Sequence, residues 1–105
     1  MKKIILFILL TVSTNVFANF YTGNDLIRWY KIDNYTGIYG YLAGVIDEYS
    51  TEPNNKKIIC IPEATEIQQI SQITYNYLQK NPTQWAWNGA FIVWLALIEA
   101  YPCKK

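Results

Sequence analysis

The chain has 105 residues, enough for one small domain, and its nine basic and eight acidic side chains leave it close to neutral. Scattered charges of both signs exclude the basic patch by which proteins bind nucleic acid or anionic lipid surfaces. Histidine, the commonest general base and metal ligand, is absent from the sequence. These features favour a protein-binding module over an enzyme or a nucleic-acid-binding protein.

The first eighteen residues have the pattern of a secretory signal peptide. Two lysines precede an unbroken apolar run at residues 4–10, and Val16 and Ala18 place small residues at the −3 and −1 positions of a cleavage site. The apolar run is shorter than the roughly 20 residues that a membrane-spanning helix needs, which disfavours an uncleaved anchor. We therefore expect residues 1–18 to be removed and residues 19–105 to form the mature helical domain.

Two helical segments are predicted in the first half of the mature chain. The first covers about residues 24–31, with Asn24 as the N-cap. The second covers about residues 35–49 and contains Gly40 and Gly44, which lie four apart on one helix face. Since glycine weakens a helix, we expect this pair to be offset by the close approach of a neighbouring helix.

The third helical segment has the clearest start in the sequence. Thr65 is predicted as its N-cap, with Gln68 three residues later as in a capping box. Asn81-Pro82 ends the segment, because the residue before proline disfavours α geometry. Apolar residues recur at helical spacing on one side, and the opposite side carries uncharged polar residues. These are Gln69, Gln72, Asn76 and Gln79.

The fourth helical segment, from Gly89 to about Tyr101 with Asn88 as its N-cap, is apolar nearly all round. A helix without a polar face must be buried on all sides, and so small a domain has little material to surround one. Two arrangements remain open. Either the other three helices cover this one, or it shares an apolar face with a second copy of the chain.

The sequence contains two cysteines, Cys60 and Cys103. In an exported chain an even count indicates a disulfide, and two cysteines allow one connectivity within the chain. The bridge would close a loop of 43 residues, for which the chain-entropy model gives about 4 kcal/mol of stabilisation. A redox-active pair is disfavoured, because the spacing is not C-x-x-C. The predicted fold is thus all-α, a small four-helix domain with one disulfide.

No pattern of catalytic or metal-binding residues occurs in the sequence. It lacks the G-x-S-x-G motif, a phosphate-binding glycine loop and H-E-x-x-H. Asp47 could pair with Glu63 or Glu66 as in glycosidases, but nothing in the sequence brings them together, and solvated surface carboxylates are far commoner. We therefore predict no catalytic residue, no cofactor and no metal, and a function in binding another protein.

Five short motifs resemble, in order, those of a known family. They are Gly23–Trp29, Gly40–Asp47 with the pattern G-Y-x-x-G-x-x-D, Cys60–Pro62 followed by Thr65, Tyr77-Leu78 with Asn81-Pro82, and Ala90–Ala100 followed by Tyr101-Pro102-Cys103. Together they cover about 80 residues, roughly one small domain. In these motifs the chain resembles the Rap/Tai family of type VI secretion immunity proteins.

The resemblance implies a small helical protein of the periplasm, often dimeric, that binds and blocks a peptidoglycan amidase toxin injected by neighbouring cells. The implied partners are this toxin and a second copy of the chain, with no nucleic acid and, after signal cleavage, no membrane. Many members carry a further cysteine pair in the first two helices. Tyr30 and Tyr39 stand at about those positions here, so we expect packing alone to hold the first two helices.

Two surfaces are candidates for contacting the toxin. A loop after the third helix could fill the substrate cleft, since a few buried aromatic side chains can supply most of an affinity. Its candidate residues are Asn81, Thr83, Gln84, Trp85 and Trp87. The other surface is the polar face of the third helix, with Gln69, Gln72 and Asn76. The ordinary alternatives are tryptophans folded into the core and a solvated helix face. If the loop contacts the toxin, we expect Trp85→Ala or Trp87→Ala to weaken toxin binding without unfolding the domain.

Three other functions compete with this one. A periplasmic acid-stress chaperone needs many titrating groups, and eight carboxylates without histidine make a poor acid switch. An inhibitor of lysozyme-type enzymes would follow the same binding logic with another target. A small hydrolase is the enzyme-class alternative, and the absence of a catalytic motif disfavours it.

Overall fold

The computed structural model describes residues 20–104, so the signal peptide predicted at residues 1–18 lies outside the described residues. The described part forms four α-helices joined by short connections. They are α1 (Gly23–Lys31), α2 (Tyr35–Ser50), α3 (Ile67–Lys80) and α4 (Gly89–Ala100), with 3₁₀ helices at Pro53–Lys57 and Pro82–Gln84. The all-α, four-helix fold predicted from the sequence is confirmed. Between residues 20 and 104, no helix is both long and apolar enough to cross a membrane.

Helix α4 contributes most to the core and contacts the other three helices. Four of its side chains are at most 1 % exposed: Ile92, Val93, Ala96 and Leu97. Leu26 of α1, Leu42 of α2 and Leu78 of α3 belong to the same buried cluster. The rest of α4 is not covered, because Phe91 is exposed and Trp94, Leu95 and Ile98 are only half-buried. Three helices thus cover one side of α4 and leave the other side partly open.

The start of α1 differs from the prediction. Its N-cap is Thr22 and not Asn24, and the carboxylate of Asp25 closes a capping box by accepting a hydrogen bond from the Thr22 backbone N–H at 2.9 Å. The Asn24 N–H donates instead to the carbonyl oxygen of Trp85 at 2.7 Å. The helix start is thus defined by a local cap between Thr22 and Asp25, and a contact across about sixty residues of sequence adds to it.

The capping box predicted for α3 exists, but one residue further along the chain. Glu66, not Thr65, is the N-cap, and its backbone N–H donates to the side-chain oxygen of Gln69 at 2.7 Å. The predicted end of α3 at Asn81 is confirmed. Asn88 caps α4 as predicted, since its Oδ1 accepts from the Ala90 N–H at 2.8 Å.

The expected close helix approach at Gly40 and Gly44 is wrong. A Cβ atom built on either residue would meet nothing within 4 Å, so both face an open surface. The glycines that are needed for packing are Gly23 and Gly89. A Cβ on Gly23 would lie 2.6 Å from the Ile92 side chain, and one on Gly89 would lie 2.8 Å from the Tyr41 hydroxyl. Close approach occurs at helix starts, where elements distant in sequence meet.

The predicted disulfide joins Cys60 to Cys103, with the two Cα atoms 5.0 Å apart. Short backbone pairing surrounds it. The Cys60 N–H donates to Tyr101 O at 2.8 Å, and the Cys103 N–H donates to Ile58 O at 3.2 Å. This connection ties the end of α4 to the segment that precedes α3.

Tyr30 does more than pack between the first two helices. Its hydroxyl donates to the carbonyl oxygen of Ser71 in α3 at 2.8 Å. Burial raises the pKa of Tyr30 to about 12, so this donor stays protonated at neutral pH. This hydrogen bond joins α1 to α3, so it helps to hold α1 in the domain, and the expectation that packing alone joins α1 to α2 stays a prediction.

Asp25→Asn is expected to destabilise the domain by about 1 kcal/mol at pH 7, because the cap loses its charge-assisted hydrogen bonds. The hydrogen bond from the Thr22 backbone, helped by Arg28 and opposed by partial burial, lowers the pKa of Asp25. A lowered folded-state pKa gives stability that is present above the unfolded-state pKa and lost as the pH falls through the folded-state pKa. Urea denaturation at pH 7 and pH 2 should therefore show a difference from wild type that shrinks in acid.

The exposed Asp47 on α2 offers a matched control, since Asp47→Asn removes the same charge without touching a helix start. Its stability should follow that of the wild type at both pH values. If Asp25→Asn keeps its full deficit at pH 2, the charge of the cap is not what stabilises α1.

Replacing both cysteines by serine is expected to lower the free energy of unfolding by about 2–4 kcal/mol, because the unfolded chain regains the entropy of the closed loop. Denaturation curves in non-reducing buffer measure the difference. Wild-type protein treated with a reductant should then unfold at the same denaturant concentration as the double variant. Superimposable curves for wild type and variant without reductant would contradict a stabilising role for the bridge.

Candidate functional site

The two tryptophans of the loop after α3 have different environments. Trp85 packs against the core, and its Nε1 donates to the carbonyl oxygen of Leu78 at 2.7 Å. Trp87 is 45 % exposed. The expectation that either tryptophan could be replaced without unfolding stays a prediction. The partly buried Trp85 supports the fold, so its replacement should cost more stability than that of Trp87. Trp87 remains available to a partner.

Three of the polar candidates are engaged within the chain. Gln69 caps the start of α3, as described above. At its other end, Asn81 Nδ2 donates to the carbonyl oxygen of Tyr77, and the Tyr77 hydroxyl donates to Gln84 Oε1, both at 2.8 Å. These side chains stabilise the two ends of α3 and support the neighbouring loop.

The remaining polar candidates lie on the surface. Gln72 Nε2 donates to Asn76 Oδ1 at 2.9 Å along the exposed side of α3. Thr83 is exposed in the 3₁₀ helix that follows. The polar face predicted for α3 is exposed in the structure, and within it Gln72 and Asn76 present amide groups to solvent.

Trp87 begins a row of aromatic side chains that the sequence analysis did not recognise. Its ring centroid lies 6.0 Å from that of Phe91, which lies 6.0 Å from that of Trp94 in a stacked arrangement. Phe91 is as exposed as Trp87. We call Trp87, Phe91 and Trp94 the aromatic strip. Phe91 and Trp94 lie three residues apart on one face of α4, and Trp87 lies just before the helix, four residues before Phe91. This spacing of four and three residues is the signal that the sequence offered.

Two grooves adjoin the aromatic strip. Tyr49, Asn55 and Asn88 line the first together with Phe91 and Trp94, and none of these five side chains is charged. The second groove, of about 440 Å³, also includes Tyr49 and Asn88 and runs over the glycines of α2. It is open there because Gly40 and Gly44 carry no side chain. The surface beside Phe91 and Trp94 is therefore shallow and mainly apolar, and it continues into the second groove through Tyr49 and Asn88.

The Tyr49 hydroxyl connects α2 to α4 at the base of these grooves. It donates to the backbone carbonyl oxygen of Ala90 in the first turn of α4. Burial raises the pKa of Tyr49, so the hydroxyl keeps its proton and its role as donor at neutral pH. The link between α2 and α4 is a neutral hydrogen bond.

The serines of the described part are used structurally. Ser50 Oγ donates to the Ile46 carbonyl oxygen at 2.9 Å, and the buried Ser71 Oγ lies 3.2 Å from the Tyr30 hydroxyl. Across residues 20–104 no group of three or more histidine, cysteine, aspartate or glutamate side chains could hold a metal ion. Chemically, the site can bury aromatic surface and exchange hydrogen bonds with a partner.

Comparison with protein-family models matches residues 22–103 to a family described as Rap1a immunity proteins. The matched range contains all four helices, both cysteines and the aromatic strip. No curated protein and no solved structure matches the chain. The family match thus agrees with the resemblance noted from the sequence motifs.

Trp85→Ala is expected to lower the free energy of unfolding by about 3 kcal/mol, through the lost core contacts and the lost hydrogen bond to Leu78. Trp87→Ala should change the free energy of unfolding by less than about 1 kcal/mol, because an exposed ring makes few contacts that its replacement would remove. Urea denaturation followed by circular dichroism measures both. Equal losses for the two variants would contradict the assignment of Trp85 to the core and Trp87 to the surface.

Proposed function

The chain belongs to the family of Rap1a immunity proteins, and we propose that it binds a type VI secreted peptidoglycan amidase toxin and inhibits it by occluding the active-site cleft. The family gives the role in general terms, that of an immunity protein that binds a cognate toxin. The toxin class, the mode of inhibition and the periplasmic location are our proposal. Inhibition of this kind requires no chemistry from the inhibitor.

The aromatic strip is the observation that carries the proposal. Trp87 and Phe91 are exposed large apolar side chains on a mainly uncharged surface. Exposed apolar patches on small proteins mark contact sites, and tryptophan and other aromatic side chains are enriched at the centre of such contacts. Burying these rings against a toxin would supply affinity without a charged partner.

The loop that carries Trp87 is held in position before any partner arrives. Trp85 anchors it through its indole N–H, and the Gly23 N–H donates to the Trp87 carbonyl oxygen at 3.1 Å. A contact loop that is already ordered loses less conformational entropy on binding. This rigidity supports a loop that enters and fills a cleft.

Each of the eight candidate residues has a part in this proposal. Trp87 and Thr83 would meet the toxin directly, with Gln72 and Asn76 as a second, polar contact surface. The others would act by holding the loop and the ends of α3. These supporting residues are Gln69, Asn81, Gln84 and Trp85.

We also propose a homodimer. Leu95 and Ile98 are half-buried in the single chain, and with the aromatic strip they leave one side of α4 partly uncovered. A second copy that packed on Leu95 and Ile98 would complete the burial expected of so apolar a helix. The mass of the toxin complex, measured by light scattering, distinguishes one copy from two.

Export is part of the same proposal. The toxin class acts on peptidoglycan, so its inhibitor must meet it outside the cytoplasm. The pattern of residues 1–18 and the disulfide between Cys60 and Cys103 both support a mature protein in an oxidising compartment.

The test mixes the exported, disulfide-bonded protein with purified peptidoglycan amidase toxins and measures binding by calorimetry and cleavage of peptidoglycan. We expect a stoichiometric complex and loss of cleavage. Trp87→Ala should weaken binding at least tenfold, since a central aromatic contact is worth about 2 kcal/mol or more.

Ile58→Ala provides a control, because Ile58 is an exposed large apolar side chain that lines neither of the two grooves. Its affinity should stay within about twofold of wild type, as is usual for contacts at the rim or outside an interface. If no amidase binds the wild type, the toxin class is wrong. If an amidase binds the wild type and Trp87→Ala equally, the strip is not the contact surface.

A further inference from the structure

A pocket lined by four tyrosines lies between α1, α2 and α3, and shares no residue with the aromatic strip. Its volume is about 470 Å³. The tyrosines are Tyr30, Tyr35, Tyr39 and Tyr75, and the other lining residues are Asp33, Gln68, Ser71 and Gln72. We call this site the tyrosine pocket.

The walls of the tyrosine pocket are formed in the single chain. The Tyr30 hydroxyl is bonded to Ser71 O, and the Tyr30 ring lies 5.0 Å from that of Tyr75 at an interplanar angle of 61°. Tyr35 and Tyr39 lie 5.8 Å apart at 37°. A partner would therefore meet a shaped cavity and would not need to assemble it.

Asp33 is the one charged side chain among the residues that line the pocket. It lies in the turn between α1 and α2 with a positive φ of 55°, a conformation that aspartate and asparagine adopt more readily than other non-glycine residues. Within residues 20–104 the observed ion pairs involve other carboxylates, namely Asp25 and Glu99. The Asp33 carboxylate is thus available to a cation from outside.

The remaining lining groups add negative potential. Tyrosine rings present electron-rich faces, to which cations are attracted within about 6 Å. The lining contains no lysine or arginine, so the pocket combines a carboxylate with aromatic faces and holds no competing cation.

We propose that the tyrosine pocket receives one arginine side chain of the toxin, with its guanidinium group against the tyrosine rings and hydrogen-bonded to Asp33. For the identity of the partner, this inference rests on the proposed function. A guanidinium group is planar, stacks on aromatic rings and donates two parallel hydrogen bonds to a carboxylate, which the compact ammonium group of lysine does not.

The first experiment tests the chemistry of the pocket without the toxin. The wild-type protein is titrated with the blocked peptide acetyl-Gly-Arg-Gly-amide, and ring resonances of Tyr35, Tyr39 and Tyr75 are followed by NMR. We expect saturable shifts, which the neutral citrulline analogue does not produce. Asp33→Asn should weaken binding about tenfold, the loss of a charged hydrogen bond, and Asp47→Asn should leave it unchanged.

Asparagine suits the positive φ at position 33, so Asp33→Asn should keep the wild-type circular dichroism spectrum and unfolding midpoint. Equal shifts with the citrulline peptide would overturn the proposal. So would binding of a chitin trisaccharide at these rings in the absence of any response to the arginine peptide, since the pocket would then recognise a sugar.

The second experiment uses the toxin complex. We expect Asp33→Asn to weaken toxin binding about tenfold, mainly through faster dissociation. If an amidase binds wild type and Asp33→Asn equally, the pocket inference fails while the immunity function stands. If no amidase binds the wild type, the proposed toxin class fails, and the peptide titration alone decides whether the pocket accepts a guanidinium group.

Discussion

The fold depends on a short backbone contact between residues 21–24 and residues 85–89. Three hydrogen bonds form it: Gly23 N–H to Trp87 O, Asn24 N–H to Trp85 O, and Gly89 N–H to Tyr21 O. The two segments approach so closely that a Cβ atom on Gly23 or Gly89 would collide with neighbouring atoms. This contact places the start of α1 beside the start of α4. It also holds the loop in which Trp85 packs against the core and Trp87 is exposed.

The other end of α4 is held by a second constraint. The Cys60–Cys103 disulfide and the backbone bridge between Ile59 and Pro102 tie it to the segment before α3. Because α4 is fixed at both ends, it can keep an apolar side partly exposed without shifting to bury it. The exposed side is then a fixed surface. A partner that covers Phe91 would bury apolar area that is still exposed to water after folding, which favours binding.

The two candidate contact sites differ in chemistry and so would have different effects on binding. The aromatic strip is uncharged and would contribute affinity through buried area. The tyrosine pocket contains the Asp33 carboxylate and would have a negative electrostatic potential. It would therefore discriminate among partners by the position of one cationic group. An inhibitor that must recognise its own toxin among related enzymes needs both contributions.

The sequence by itself determined the features that depend on neighbouring residues. The helical periods, the Asn88 cap and the end of α3 at Asn81 follow from interactions within a few residues, and the disulfide follows from there being only two cysteines. Only the tertiary structure decided which tryptophan of the loop packs against the core, and that the Tyr30 hydroxyl pairs with a carbonyl 41 residues away. Each of these depends on groups far apart in the chain, whose approach no local pattern records. The tyrosine pocket belongs to this second class, since its side chains come from α1, α2 and α3 and converge only when these helices pack. The aromatic strip lies within residues 87–94, and only its exposure depends on packing.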